Sequence, residues 1–182
     1  MGFNPQDHFF KKAKKEGFLA RSAYKLDEIQ KKYKVIKPGN SVLDLGCAPG
    51  AWLQVALQIV GPKGFVEGID LKPVVLTAPN GNFFVKDVFR LEDSDLKGFP
   101  YDVVMSDMAP NTSGNKFSDQ AKSEELCLKV LELSDRLLRP GGNMVMKFFM
   151  GGGSKALELE VKKRFVEFNQ LRPEATRTES KE

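Results

Sequence analysis

Cysteine is nearly absent from this sequence. Only Cys47 and Cys127 occur in 182 residues, 80 positions apart, with neither CxxC spacing nor a histidine cluster beside them. That scarcity argues against a disulfide scaffold and against a structural zinc site, and no metal is expected. The single histidine, His8, is isolated in the N-terminal segment and is assigned no role. No apolar run approaches the ~20 residues that span a bilayer. The N-terminus, MGFNPQDHFFKKAKKEGF, lacks the apolar core of a signal peptide. Also missing are the GxGxxG dinucleotide fingerprint and any GKS or GKT of a phosphate-binding loop. These absences lead us to expect a soluble cytoplasmic protein without membrane contact. Sixteen Gly and ten Pro are ordinary usage, and 29% charged residues beside fourteen Phe do not suit a disordered chain. The length reads as one domain, residues 1–182, without repeat or linker. With no exposed apolar stripe in the pattern, a monomer is expected.

The net charge of +4 is unevenly distributed. Residues 1–40 carry ten Lys/Arg against four Asp/Glu, and residues 41–182 carry eighteen against twenty. The excess therefore lies in an N-terminal segment that includes Lys11, Lys12, Lys14, Lys15, Arg21 and Lys25, interleaved with Phe9, Phe10, Phe18 and Tyr24. Lysines among aromatics form a surface that binds polyanions such as nucleic acid. A solvated helix face is the alternative.

From residue 41 onward, short apolar runs rich in Val and Phe alternate with helical spacing. The runs at 41–46, 64–71, 82–87, 101–107 and 143–149 read as strands. Residues 51–60, 119–138 and 154–168 read as helices, the long one closed by Arg139-Pro140-Gly141-Gly142, and 20–34 reads as a helix before the first strand. Strands alternating with helices predict an α/β fold with a mostly parallel, doubly wound sheet and helices on both faces.

Ligands of such sheets bind at the carboxyl ends of the strands. The first strand runs into Asp44-Leu45-Gly46-Cys47-Ala48-Pro49-Gly50-Ala51-Trp52. Gly46 and Gly50 would let backbone approach a ligand, and Pro49 would fix the turn. Asp70 ends the second strand, where a carboxylate can accept from both hydroxyls of a ribose, and Asp87 ends the third, positioned for an adenine edge. Asp44, Asp70 and Asp87 together predict an acidic crevice that repels a pyrophosphate and suits a cation such as a sulfonium. Each could instead be a cap or turn residue. Cys47, inside the loop, reads as a small packing residue. Further on, Asp107 ends the fourth strand and Lys147 lies in the fifth, where a buried Lys needs anionic partners. The two form either a structural ion pair or an acid and base beside the cofactor.

DLGCAPGAW, GIDL, VKDVF, SDMAPN and VMKFF, preceded by FLARSAYKLDEI, resemble in order and spacing the FtsJ-like ribose 2′-O-methyltransferases, from about Phe18 to Glu182. The resemblance implies a Rossmann-like fold that uses S-adenosylmethionine. It also implies a Lys-Asp-Lys-Glu tetrad, which by motif position is Lys25, Asp107, Lys147 and Glu182, with Glu179 the rival for the last place. Cofactor contacts carried over are Gly50 and Trp52, Asp70 for the ribose, Asp87 for the adenine and Asp107 beside the methionine moiety. In the family a final strand follows the glutamate and inserts between strands five and six. This chain stops at Glu182, so residues beyond it are expected to be missing.

As the resemblance implies, Lys147 would act as the base for a ribose 2′-hydroxyl, with Asp107 and Glu182 orienting it and Lys25 positioning the oxygen. The substrate expected is a ribose, a uridine's, in ribosomal RNA or on the large ribosomal subunit. Lys11, Lys12, Lys14, Lys15, Arg21 and Asn111 would hold the RNA. Residues 112–118 and 151–153 either flank the target nucleotide or are plain connectors. Transfer RNA or an mRNA cap is the alternative substrate. A non-catalytic RNA-binding assembly factor, a methyltransferase acting on small molecules or protein, and a nicotinamide-dependent oxidoreductase are the other readings.

Overall fold

The structure, a computed structural model, describes residues 8–111, 114–151, 153–177 and 180. Five strands, β1 (Ser41–Leu45), β2 (Phe65–Asp70), β3 (Gly81–Val85), β4 (Tyr101–Ser106) and β5 (Leu138–Met146), form one sheet in the order β3-β2-β1-β4-β5. Every neighbouring pair is parallel. The order reverses between β1 and β4, which makes that point the switch of a doubly wound sheet.

Alternation along the central strands sorts the core into two layers. Val42, Val66, Val103 and Met105 face one side and meet α2 (Ala23–Tyr33) through Leu26, and α3 (Ala51–Val60) through Trp52, Leu53 and Ala56. Leu43, Leu45, Ile69 and Val104 face the other side and meet Val130, Leu133 and Leu137 of α4 (Lys116–Leu137). On that side, α5 (Ser154–Lys162) joins α4 through Leu157, Val161, Cys127 and Leu131.

The elements depart from the sequence expectation at several points. An additional helix, α1 (His8–Glu16), precedes α2, because Phe9 and Ala13 share a face that packs on Tyr24. The long helix ends at Leu137 and enters β5 at once, so Pro140-Gly141-Gly142 lies within the strand. There β5 advances from Leu138 to Asn143 while β4 advances only from Tyr101 to Val103, a bulge that Gly141 permits at φ 76°. α5 stops at Lys162 because the Arg164 guanidinium donates to the Glu160 carbonyl at 2.8 Å, the acceptor that continued helix would use. Lys147 falls one residue beyond β5, and its amide extends the ladder by donating to the Ser106 carbonyl at 2.9 Å. Among the described residues no strand pairs with the outer edge of β5, and residues 167–173 have no regular structure.

One polar group is buried in this core at the end of the sheet away from the glycine loop. Glu67 of β2 is fully buried and accepts from Lys97 N at 2.9 Å and Gly98 N at 3.0 Å, from the Asn82 amide and from the Tyr101 hydroxyl. Burial and the Glu67 carboxylate push the Tyr101 phenol far above its ordinary range, so it stays a donor. Tyr101→Phe removes one donor from a carboxylate that cannot reach water. The expected cost is about 1–3 kcal/mol in urea unfolding, and a change within experimental scatter would contradict this role.

Candidate active site

β1 ends at Leu45, and the chain turns through Gly46 at φ 81°, a conformation that favours glycine. Gly46 also abuts Met108, whose Cγ a Cβ at Gly46 would strike, so the glycine loop and the segment after β4 lie against each other. The loop is tied to β2 by Gly46 N and Cys47 N, which donate to the Ile69 carbonyl at 2.8 and 3.1 Å. It is also tied by Ala48 N, which donates to Asp70 Oδ2 at 2.9 Å. The Ala48–Pro49 bond is cis, and Gly50 at φ 111° opens α3. Trp52, in the first turn of α3, is buried and donates its indole N–H to the Ser22 carbonyl at 2.9 Å, which joins α3 to the start of α2.

The acidic residues occupy three distinct environments. Asp70 is the last residue of β2 and accepts from Ala48 N and, at 2.9 Å, from Lys72 N. Each of its oxygens keeps a further lone pair for a ribose hydroxyl. Asp87 lies two residues past β3 and caps the short 3₁₀ turn Val88–Arg90, accepting from Phe89 N at 3.0 Å. The capping alternative is therefore realised there, on a side chain that remains partly exposed. Asp44 is the next-to-last residue of β1. It sits inside β1 between Gly68 and Met105, fully buried, and neither carboxyl oxygen has a hydrogen-bond partner. Burial pushes its carboxyl well above the usual carboxylate range, and Asp107 and Asp70 push the same way. The three aspartates therefore differ in environment: Asp44 is buried inside β1, Asp70 is held by two backbone amides and Asp87 caps a turn. Burial likewise pushes the Cys47 thiol far up, which makes it an inert packing group.

Pairing of Ser106 with Met146 brings the next residues of β4 and β5 side by side. Lys147 Nζ donates to Asp107 Oδ1 at 2.8 Å and also to the Asp107 carbonyl oxygen. Both side chains are largely sheltered from solvent, at 11% and 20% exposure, which strengthens the pair relative to one in water. Behind them the Cys127 thiol donates to the Lys147 carbonyl at 3.4 Å. Lys25 of α2, Trp52, Asp107 and Lys147 line one cleft of about 290 Å³ that continues along the outer edge of β5.

Three members of the expected tetrad thus border one cavity. The fourth, Glu182, and its rival Glu179 lie outside the described residues. The segment leading to them docks on α2: Glu174 N donates to Glu28 Oε2 at 2.8 Å, the Arg21 guanidinium donates to the Ala175 carbonyl, and Ala175 is buried against Ala13 and Tyr24.

The basic residues divide into two groups. Lys11, Lys14 and Lys15 are exposed on α1, and Asn111 is exposed after β4. Lys12 sits over the Tyr24 ring at 4.6 Å and Arg21 over the Phe9 ring at 5.7 Å, so both help hold α1 and the C-terminal segment on α2. Met108 and Ser22 carry no sequence signal for their parts, since one acts through bulk against a glycine and the other through its carbonyl.

Ribosomal RNA large subunit methyltransferase E of Desulfatibacillum aliphaticivorans is 49% identical over 180 residues, covering 97% of this chain and 87% of that one. The protein of the same name from Bdellovibrio bacteriovorus is 46% identical over 187 residues, covering all of this chain and 95% of that one. Among solved structures, a protein from Plasmodium falciparum described as a ribosomal RNA methyltransferase superposes with a TM-score of 0.77 at 28% identity, over 87% of this chain and 93% of that one. The FtsJ-like methyltransferase family matches residues 18–182, which span every strand and every element lining the cleft, and the chain belongs to that family.

Proposed function

We propose that this protein methylates a ribose 2′-hydroxyl, that of a uridine, in large-subunit ribosomal RNA, and does so as a monomer in the cytoplasm. The observation that carries the reading is Lys147, held by Asp107 at the mouth of the acidic crevice with Lys25 in the same cleft. The relatives named as large-subunit ribosomal RNA methyltransferases supply the substrate class.

The residues fit S-adenosylmethionine. Gly46 and Gly50 would present backbone to the methionine part, Asp70 would offer lone pairs to the ribose, and the partly exposed Asp87 would serve the base. Trp52 would line the site, and Asp44 and Asp107 would supply the negative charge that a cationic ligand needs. When bound, the cofactor supplies an activated methyl group. As a neutral amine, Lys147 would accept the proton of the hydroxyl as the O–C bond forms and the bond between the methyl and its donor breaks, with Asp107 fixing the position of its Nζ. Lys25 holds the oxygen while negative charge develops on it, and Glu182 completes the tetrad. Lys11, Lys14, Lys15 and Asn111 contact the RNA directly. Lys12 and Arg21 contribute by holding α1 in place.

Lys147→Ala tests the reading most simply. Single-turnover methylation should fall about 10²–10⁴-fold while S-adenosylmethionine binding is kept. Near-wild-type turnover would exclude Lys147 as the base. Replacing Lys11, Lys14 and Lys15 together by Ala should flatten the logarithmic dependence of RNA affinity on salt by about 2–3 in slope, leaving cofactor affinity unchanged. An unchanged slope would exclude α1 from the RNA interface.

A further inference from the structure

Asp44 lies under the glycine loop with no exposure to solvent and no donor on either oxygen. Among the described residues, the charged groups nearest to it each have a partner or a known setting. Asp70 at the end of β2 is hydrogen-bonded to two backbone amides, and Asp107 beyond β4 is paired with Lys147. The Cys47 thiol, in the loop above, feels both Asp44 and Asp70. No cation faces Asp44 directly among the described residues, because Lys147 is committed to Asp107. A carboxylate in that position would be an uncompensated buried charge beside two others, so with no cation at hand Asp44 is held as the neutral acid.

The two ligands of a methyl transfer differ at the atom that matters here. S-adenosylmethionine carries a sulfonium and an ammonium against one carboxylate, whereas S-adenosylhomocysteine has lost the sulfonium charge. We infer that Asp44 is a proton-linked charge sensor: it gives up its proton to solvent when the sulfonium cofactor occupies the crevice and keeps it when the demethylated product does. The linkage favours cofactor over product increasingly as pH rises, since only cofactor binding releases a proton. The inference rests on the cofactor site proposed above and adds to it a means of distinguishing substrate from product.

Calorimetric titration of the full chain with each ligand, in buffers of different ionisation enthalpy between about pH 5.5 and 7, reads the proton directly and stays below the titration of the ligands' own amine. The expected result is release of about one proton with S-adenosylmethionine and almost none with S-adenosylhomocysteine. Affinity for the former should rise with pH, by at most about tenfold per unit, while affinity for the latter stays flat. In Asp44→Asn the release and the pH slope should vanish. If that variant does not fold, the contrast between ligands in the wild-type protein decides the matter. Tight binding of S-adenosylmethionine with no proton released overturns the inference and leaves the cofactor site standing. Release that survives in Asp44→Asn assigns the proton to another group and overturns it too. Failure of either ligand to bind overturns the inference and the cofactor site together.

Discussion

The parallel pairing of β4 with β5 governs the site. Because Ser106 pairs with Met146, Asp107 and Lys147 emerge side by side where neither strand needs them for the core, and the Lys147 amide completes the ladder on Ser106. A slip of one residue would turn the alternating side chains of β5 to opposite faces and separate the pair. The bulge at Gly141 absorbs the mismatch between a helix that ends at Leu137 and a strand that must reach this register at Asn143. The glycine loop is positioned by the same sheet through Ile69 and Asp70. Crevice and Lys–Asp pair are thus two consequences of one strand order.

The N- and C-terminal parts of the chain converge on α2. Tyr24 packs with Phe9, Phe18, Ala13 and Ala175, Arg21 reaches Ala175, and Glu28 reaches Glu174. Trp52 ties the start of the same helix to α3. Lys25 lies within this knot, so its placement at the cleft depends on contacts from α1, from the glycine-loop helix and from the C-terminal segment. Basic residues that resemble an RNA surface in sequence therefore serve two purposes. Lys12 and Arg21 spend their charge on aromatic rings and a carbonyl, and Lys11, Lys14 and Lys15 face outward.

Most of this arrangement was legible in the sequence because strand periodicity and turn residues coincide there. The five Val- and Phe-rich runs match the five strands to within a few residues, and SDMAPN and VMKFF place Asp107 and Lys147 at neighbouring strand ends. Where the reading failed, the deciding contact was one that hydrophobic periodicity does not carry. The helix His8–Glu16 depends on Tyr24, the end of α5 on a side chain that takes over a backbone acceptor, and the start of β5 on a bulge against β4. The sequence groups Asp44 with Asp70 and Asp87 at the acidic end of the sheet, because an Asp two residues before a glycine looks the same whether it is exposed or buried. Only the pairing with Gly68 and Met105 shows that it is buried.

The central claim is that this cleft delivers a methyl group to a ribose oxygen of ribosomal RNA. The most direct measurement incubates large ribosomal subunits from cells lacking the protein with the protein and isotopically labelled S-adenosylmethionine, then maps the label by mass spectrometry of nuclease fragments. The account predicts one labelled nucleotide, a uridine, with the methyl on the ribose. Label on a base, on ribosomal protein or nowhere in the particle would contradict it.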